Sequence, residues 1–334
     1  MDDTSDIPFS SVIDALLDGD NLFPPHYLYR LSDLEQDELD ALKIAWHRIP
    51  TWRRQAVMEE IEDRCREDFI HSFIDFAGFA AQDEDPKVRL LAVRTLWEYE
   101  APDYIPLIMS LLRDDHDVDV RAAAAGALGP YVFLGEIDEI PDEQLKAIED
   151  LLLEVLNNDL SPAVRRPALE ALGFSSRNEI PPLIKKAYTE TDRKWVVSAL
   201  FAMGRSANDI WQPEVTAMLY HVHPDIRIEA ARAAGELEVR EAVPILLEMI
   251  YDPDDKVSAA SIWSLSQIGG VVIQEAFEEL YDELEDDEQL EYLELAMDNL
   301  SFTDGMTLRP FLDISDLDDS DMSDIYDGSD GDNF

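Results

Sequence analysis

The 334-residue chain has a single cysteine, Cys65, so it can form neither an internal disulfide nor a cysteine-based metal cluster. A lone thiol fits a reducing compartment and reads as a small hydrophobic side chain. Basic residues are scarce. Seven Lys and nineteen Arg stand against 74 Asp and Glu, giving a net charge of −48. Such a surface repels phosphate backbones and anionic head groups, so neither nucleic acid nor a membrane surface is expected as a partner. No stretch approaches the roughly 18 uninterrupted apolar residues of a membrane span. The opening MDDTSDIPFSS carries acid where a secretory leader carries base. The expected location is the cytoplasm. The motifs G-x-S-x-G and H-E-x-x-H, a phosphate-binding glycine loop and a Cys/His zinc spacing are all missing, which argues against catalysis and calls for no cofactor.

What is present is a large apolar fraction, 46%, enough to build a continuous core, and a repeated phrase. Residues 118–129 read VDVRAAAAGALG. The template is an apolar residue at position 0, a small one at +4, an apolar one at +8 and often Gly at +9. It recurs from Val88, Val120, Val164, Trp195, Ile226 and Val257, at spacings of 32, 44, 31, 31 and 31 residues. Between these phrases lie segments such as YIPLIMSLLRD, IPPLIKKAYTE and EAVPILLEMIYD, whose apolar residues recur at three- and four-residue steps. No alternating strand pattern separates them. Each period is therefore one helical hairpin. Acidic turn residues, among them Asp115, Asp159, Asp192, Asp225 and Asp252 to Asp255, precede the second helix, where carboxylates cap free N–H groups. Small residues at +4 (Ala92, Ala124, Ala168, Ala199, Ala230 and Ser261) let neighbouring helices approach closely. A hairpin this short cannot bury its own apolar face, so successive hairpins must stack into an α-solenoid.

The phrase D-x-x-V-R-x-x-A-x-x-A-L-G at Asp117–Gly129, with variants at Asp85–Trp97, Ser161–Gly173 and His223–Gly235, resembles the HEAT repeat. It is most similar to the short bacterial form named after phycobilisome lyases. The resemblance covers about residues 30–300 and implies an all-α fold, a right-handed superhelix of HEAT-like hairpins with a long concave face. It further implies that Arg89, Arg121, Arg165 and Arg227 tie adjacent turns together through the preceding aspartates, with the ladder interrupted at Val196 and Ser258. Two enzymes share such repeats. A HEAT-type deoxyhypusine hydroxylase holds iron through His-Glu pairs, and none of the six histidines here is followed by Glu. A bilin lyase handles a linear tetrapyrrole, and no residue pattern here marks a bilin site.

The expected organisation is an irregular lead-in over residues 1–31, an array of about seven hairpins over 32–300, and an acidic tail over 301–334. The first repeat is divergent, with Trp52, Ala56 and Glu60 at the template positions, and DEQLEYLELAMDNL closes the array. The segment from Asp313 to Phe334 has nine aspartates and no Lys or Arg, a composition that repels itself and predicts disorder. Ile314, Leu317, Met322, Ile325 and Tyr326 punctuate it in a manner suited to docking on a basic groove.

Candidate partner-binding residues fall in two groups. The long spacing between Val120 and Val164 predicts an insertion near 130–143, where Tyr131 and Phe133 either meet a partner or pack on their own repeat. The second group sits at +2 and +6 of the second helices: Arg54, Arg94, Arg166, Phe201, Arg232 and Trp263. In a HEAT array these positions line the concave face, and Arg and Trp are the residue types enriched at binding hot spots. A groove lined by them favours an acidic or aromatic-bearing peptide, although salt bridges to Glu170 and Glu229 account for the arginines equally well. His221 and His223, two residues apart, read as turn residues rather than metal ligands. The function these features predict is a non-catalytic protein-binding scaffold or adaptor, with unidentified protein partners and self-association through the array ends left open. The alternative is a bilin-lyase-like or other small-molecule role. Whether the acidity serves partners, solubility or salt adaptation stays open.

Overall fold

The computed structural model describes residues 7–66 and 70–308; among these it contains eighteen α-helices and no strand. The aspartate-rich segment from Asp313 onward and the first six residues of the lead-in lie outside the described residues. No helix among those described is long and apolar enough to cross a membrane. The chain divides into two compact units between Asn208 and Asp209.

In the first unit, α1 (Phe9–Leu17), a 3-10 segment (Pro25–Leu31) and α2 (Gln36–Trp46) lead into α3 (Thr51–Cys65). Hairpins follow: α4 (Ile74–Ala80) with α5 (Pro86–Trp97), α6 (Ile105–Asp114) with α7 (Val118–Ala127), α9 (Asp142–Asn158) with α10 (Pro162–Leu172), and α11 (Ile180–Tyr188) with α12 (Arg193–Arg205). The first helix of each pair packs on the second, while α3, α5, α7, α10 and α12 stack on one another as a layer. In the second unit, α13 (Gln212–Met218) pairs with α14 (Pro224–Glu236), α15 (Val243–Met249) with α16 (Asp255–Ile268) and α17 (Val271–Glu283) with α18 (Asp287–Leu308). Here α14, α16 and α18 form the layer. Helix α18 continues past residue 301, the expected start of the tail.

The periodic residues explain the stacking. Val88, Val120, Val164, Ile226 and Val257 are buried, and every +4 residue from Ala92 to Ser261 has no exposed surface. Each fully buried valine contributes about 1.5–3 kcal/mol relative to exposure, and the small +4 side chains set how near the layers come. The +9 glycines bring helix backbones still closer. A Cβ on Gly173 would sit 2.8 Å from Ala202 Cα, and one on Gly235 would sit 2.8 Å from Ser264 Cα. Only a residue without a side chain permits that approach.

Two registers differ from expectation. In α12 the apolar core position falls to Val196, and Trp195 is only half-buried. In α3 the residues Trp52, Ala56 and Glu60 are not core at all. Trp52 is 52% exposed, while Arg53, Val57 and Ile61 point inward. The first repeat is thus in register one residue later than the apolar template suggests, because a buried arginine replaces the usual valine.

That shift places Arg54 on the inter-repeat ladder. Arg89 donates Nε and Nη2 to Asp115 at 2.7 and 2.8 Å, while its Nη1 reaches the Asp83 and Glu84 carbonyls at 2.9 and 3.0 Å. Arg121 does the same with Asp159 and the Asp115 and His116 carbonyls, and Arg227 with Asp252 and the His221 and Val222 carbonyls. Each guanidinium therefore joins the carbonyls of its own preceding turn to the aspartate of the following turn. This corrects the expectation that the preceding aspartates receive it. Those aspartates also accept the backbone N–H two residues on: Asp115 from Asp117, Asp159 from Ser161 and Asp252 from Asp254, at 2.7–2.9 Å. The residue two positions later caps the helix, as Asp85, Asp117, Ser161 and Asp254 show.

Arg54 makes the corresponding rung, with Nη1 2.7 Å from Asp83 Oδ2 and Nη2 2.9 Å from Glu84. Asp83 also accepts the Trp46 indole N–H. Arg165 departs from the pattern, because the position equivalent to the aspartate is Glu190. Its Nε donates to the Leu156 carbonyl at 2.7 Å and its guanidinium lies 5.3 Å over the Trp195 ring. At Ser258 the hydroxyl replaces the guanidinium, donating to the Ile250 carbonyl at 2.6 Å.

The insertion is a helix. α8 (Gly129–Glu136) packs on α9 and α10 and buries Tyr131 and Val132. The Tyr131 hydroxyl donates to the Ala101 carbonyl at 3.1 Å. Tyr131 is therefore a core residue, which removes it from the candidate partner contacts; Phe133, two positions on, is 45% exposed.

Candidate functional site

The layer of second helices in the first unit presents its +6 side chains to one groove. Arg94 from α5, Gly126 from α7, Glu170 from α10 and Phe201 from α12 all line a depression of about 1030 Å³. Its floor is small and apolar: Ala122, Ala123, Gly126, Ala127 and Ala171. Its walls are aromatic. Trp97 and Phe133 are about half exposed, and the Phe133 ring lies 5.7 Å from that of Phe174. The Arg205 guanidinium sits over the Phe174 and Phe201 rings at 5.4 and 5.1 Å, an attraction between cation and ring quadrupole. The depression is thus lined by small apolar side chains together with exposed aromatic rings.

The electrostatics differ from the expected cluster of cations. Arg94 Nη1 is 3.7 Å from Glu62 Oε1, and Arg66 bridges Glu62 at 2.8 Å and Glu98 at 3.7 Å. Burial pushes the Glu170 carboxyl pKa up, opposed by the Ser198 hydroxyl that donates to it and by nearby Arg166. In all, five carboxylates line the groove, from Glu62, Glu98, Glu100, Asp119 and Glu170, against three guanidiniums.

The remaining sequence candidates separate. Arg54 is 2% exposed and carries a ladder rung, so it is not a surface contact. Arg166 is half-buried beside Glu170 and does not line the groove. Arg232 and Trp263 belong to the second unit, where with Ile228, Lys256, Ala259, Ala260 and Tyr292 they line a smaller depression of about 650 Å³. Arg232 lies 3.5 Å from Glu229. Trp97, Phe174 and Arg205 were not among the candidates; they stand at +9 or +10, just past the end of the helical template. For Trp97 the available cue was a bulky residue at the +9 position usually held by Gly; Phe174 and Arg205 follow Gly173 and Gly204 and carried no such cue.

Cys65 is buried, donates to the Glu62 carbonyl, and has its thiol pKa pushed up to about 11, chiefly by burial. His221 Nδ1 accepts the His223 backbone N–H at 3.2 Å, an arrangement of the turn. Among the described residues, no group of three or more His, Cys, Asp or Glu side chains is placed to hold a metal.

Repeated helical hairpins, a buried small-residue spine and an arginine–aspartate ladder are the features of a HEAT-repeat array. The sequence profile described as HEAT repeats matches residues 76–148 and 213–300. A search of the curated proteins gives no match. Several solved structures are similar. The complex of CpcE and CpcF of phycocyanin lyase from Nostoc sp. PCC7120 is 19% identical, with 68% of this chain and 94% of that chain covered and a TM-score of 0.47. Importin beta, crystallised in an ammonium sulfate condition, is 14% identical, with coverages of 87% and 46% and a TM-score of 0.44. Human deoxyhypusine hydroxylase is 16% identical, with coverages of 78% and 95% and a TM-score of 0.34.

Proposed function

We propose that the protein is a binding scaffold or adaptor whose first-unit groove captures a segment of a partner protein. The observation that carries this reading is the pairing of exposed Trp97 and Phe133 with a floor of small residues inside one groove. Aromatic side chains flanking an unfilled apolar depression supply the anchor area that dominates interface energetics. The spine and ladder keep the helices at fixed spacing, so the surface is preorganised.

The test is a photo-crosslinking residue at Ala123 in the full chain, irradiated in native extract, with Trp97→Ala/Phe133→Ala as the comparison. A discrete protein adduct that the double substitution removes supports the proposal. Adducts that persist in the double variant, or only solvent quenching, refute it. A shift in bilin absorbance on mixing, lost in the same variant, would point to the small-molecule alternative instead.

A further inference from the structure

We infer that the segment this groove takes is basic: a stretch of net positive charge with an aliphatic or aromatic anchor. The inference rests on the groove being a protein-binding site and goes further by fixing the sign of its partner. The anchor would lie on the floor at Ala123 and Gly126, between the Trp97 and Phe133 rings, where nothing lies within 4 Å of a Cβ built on Gly126. Two of the three guanidiniums do not compete for an anionic partner, because Arg66 is held by Glu62 and Glu98 and Arg94 faces Glu62. The third, Arg205, already covers two phenylalanine rings.

The unmatched charge in the lining is carboxylate. Glu100, just after α5, and Asp119, in the first turn of α7, line the groove without an ion pair to a described arginine, whereas Glu98 is shared with Arg66. Lysines or arginines flanking an apolar anchor would meet them while the anchor desolvates the centre, and like-charge contacts would exclude an acidic segment. The net charge of −48 assists by raising the encounter rate of a basic segment at low salt.

The experiment uses the full chain and three fluorescein-labelled 18-residue peptides. One places Lys with Leu and one Trp at helical spacing, the second replaces Lys by Glu, and the third keeps Lys but replaces Leu and Trp by Ser. Binding is read by anisotropy at low and moderate salt for the unaltered protein, for Gly126→Leu, which fills the floor, and for Glu98→Gln/Glu100→Gln/Asp119→Asn. Melting temperatures show that the variants are folded. The expected result is binding of the Lys/Leu/Trp peptide, weakened about tenfold or more by Gly126→Leu and weakened, with a shallower salt dependence, by the triple variant. Because the triple variant removes only three of a net 48 negative charges, diffuse attraction would hardly change. Tighter binding of the Glu peptide, sensitive to Gly126→Leu, would overturn the charge inference and leave the groove as a protein site. Binding that ignores Gly126→Leu, or no binding by any peptide, would overturn both.

Discussion

Arg54 offers the sharpest test of how the repeats hold together. Its guanidinium and the Asp83 carboxylate it meets are 2% and 0% exposed, and the indole N–H of Trp46 completes the site. Substituting Arg54→Leu leaves the Asp83 charge in a nearly dry pocket with two neutral donors, the Trp46 indole and the Asp85 backbone N–H. Breaking a buried pair on one side costs about 3–5 kcal/mol, which for a unit of this size lowers its melting point by on the order of 10 °C. The Arg94→Ala change, at an arginine 53% exposed and 3.7 Å from Glu62, should cost no more than about 1 kcal/mol. Adding Asp83→Asn to Arg54→Leu removes the stranded charge, keeps an acceptor for Trp46 and should recover much of the loss. Because the rung lies wholly in the first unit, the assay is hydrogen exchange of peptides spanning α3 and the turn at residues 83–85, in rising urea. A loss from Arg54→Leu no larger than that from Arg94→Ala, or a double variant no better than the single one, would refute the claim that this rung is an obligatory buried pair.

Two further predictions follow from geometry and titration. Gly126→Ala fills open space within a helix and should stabilise by about 0.5–1 kcal/mol, whereas Gly173→Ala drives a Cβ against the Ala202 backbone and should destabilise by about 1–3 kcal/mol; urea midpoints of the two variants should move in opposite directions. Burial alone would raise the Asp115, Asp159 and Asp252 carboxyls, but hydrogen bonds from their ladder arginines and turn N–H groups outweigh it and hold them below the ordinary value. Carboxyls depressed in the folded state contribute stability that is present above their unfolded pKa of about 3.9 and is lost as pH falls through the folded values. Glu170, whose carboxyl is raised, runs the other way, its contribution fading as pH rises. The urea midpoint should therefore drop below about pH 4, and Asp115→Asn should flatten that drop; an unchanged acid slope in the variant would count against the ladder account.

Much of the architecture was legible in the sequence, because a hairpin that cannot cover its own apolar face must repeat, and the repeat shows as Val, Ala and Gly at fixed intervals. The ladder arginines at 89, 121 and 227 were legible for the same reason. Arg54 was not, since its repeat replaces the marker valine with Arg53 and an apolar template slides by one residue to Trp52. The +6 positions on the groove could be named in advance. Their company could not: Glu98 and Glu100 follow α5 and Asp119 lies in α7, and only stacking brings them to one lining.

The amino-acid order by itself determined the period, the hairpin unit and the close approach of its helices, since these depend on residues within one repeat and its neighbour. Tertiary structure decided which cations remain outside, which tyrosine becomes core and what sign of charge the groove presents. Those outcomes depend on which side chains from separate repeats end up within a few ångströms of each other, and a carboxylate that neutralises an arginine there is, in the sequence, one acidic residue among 74.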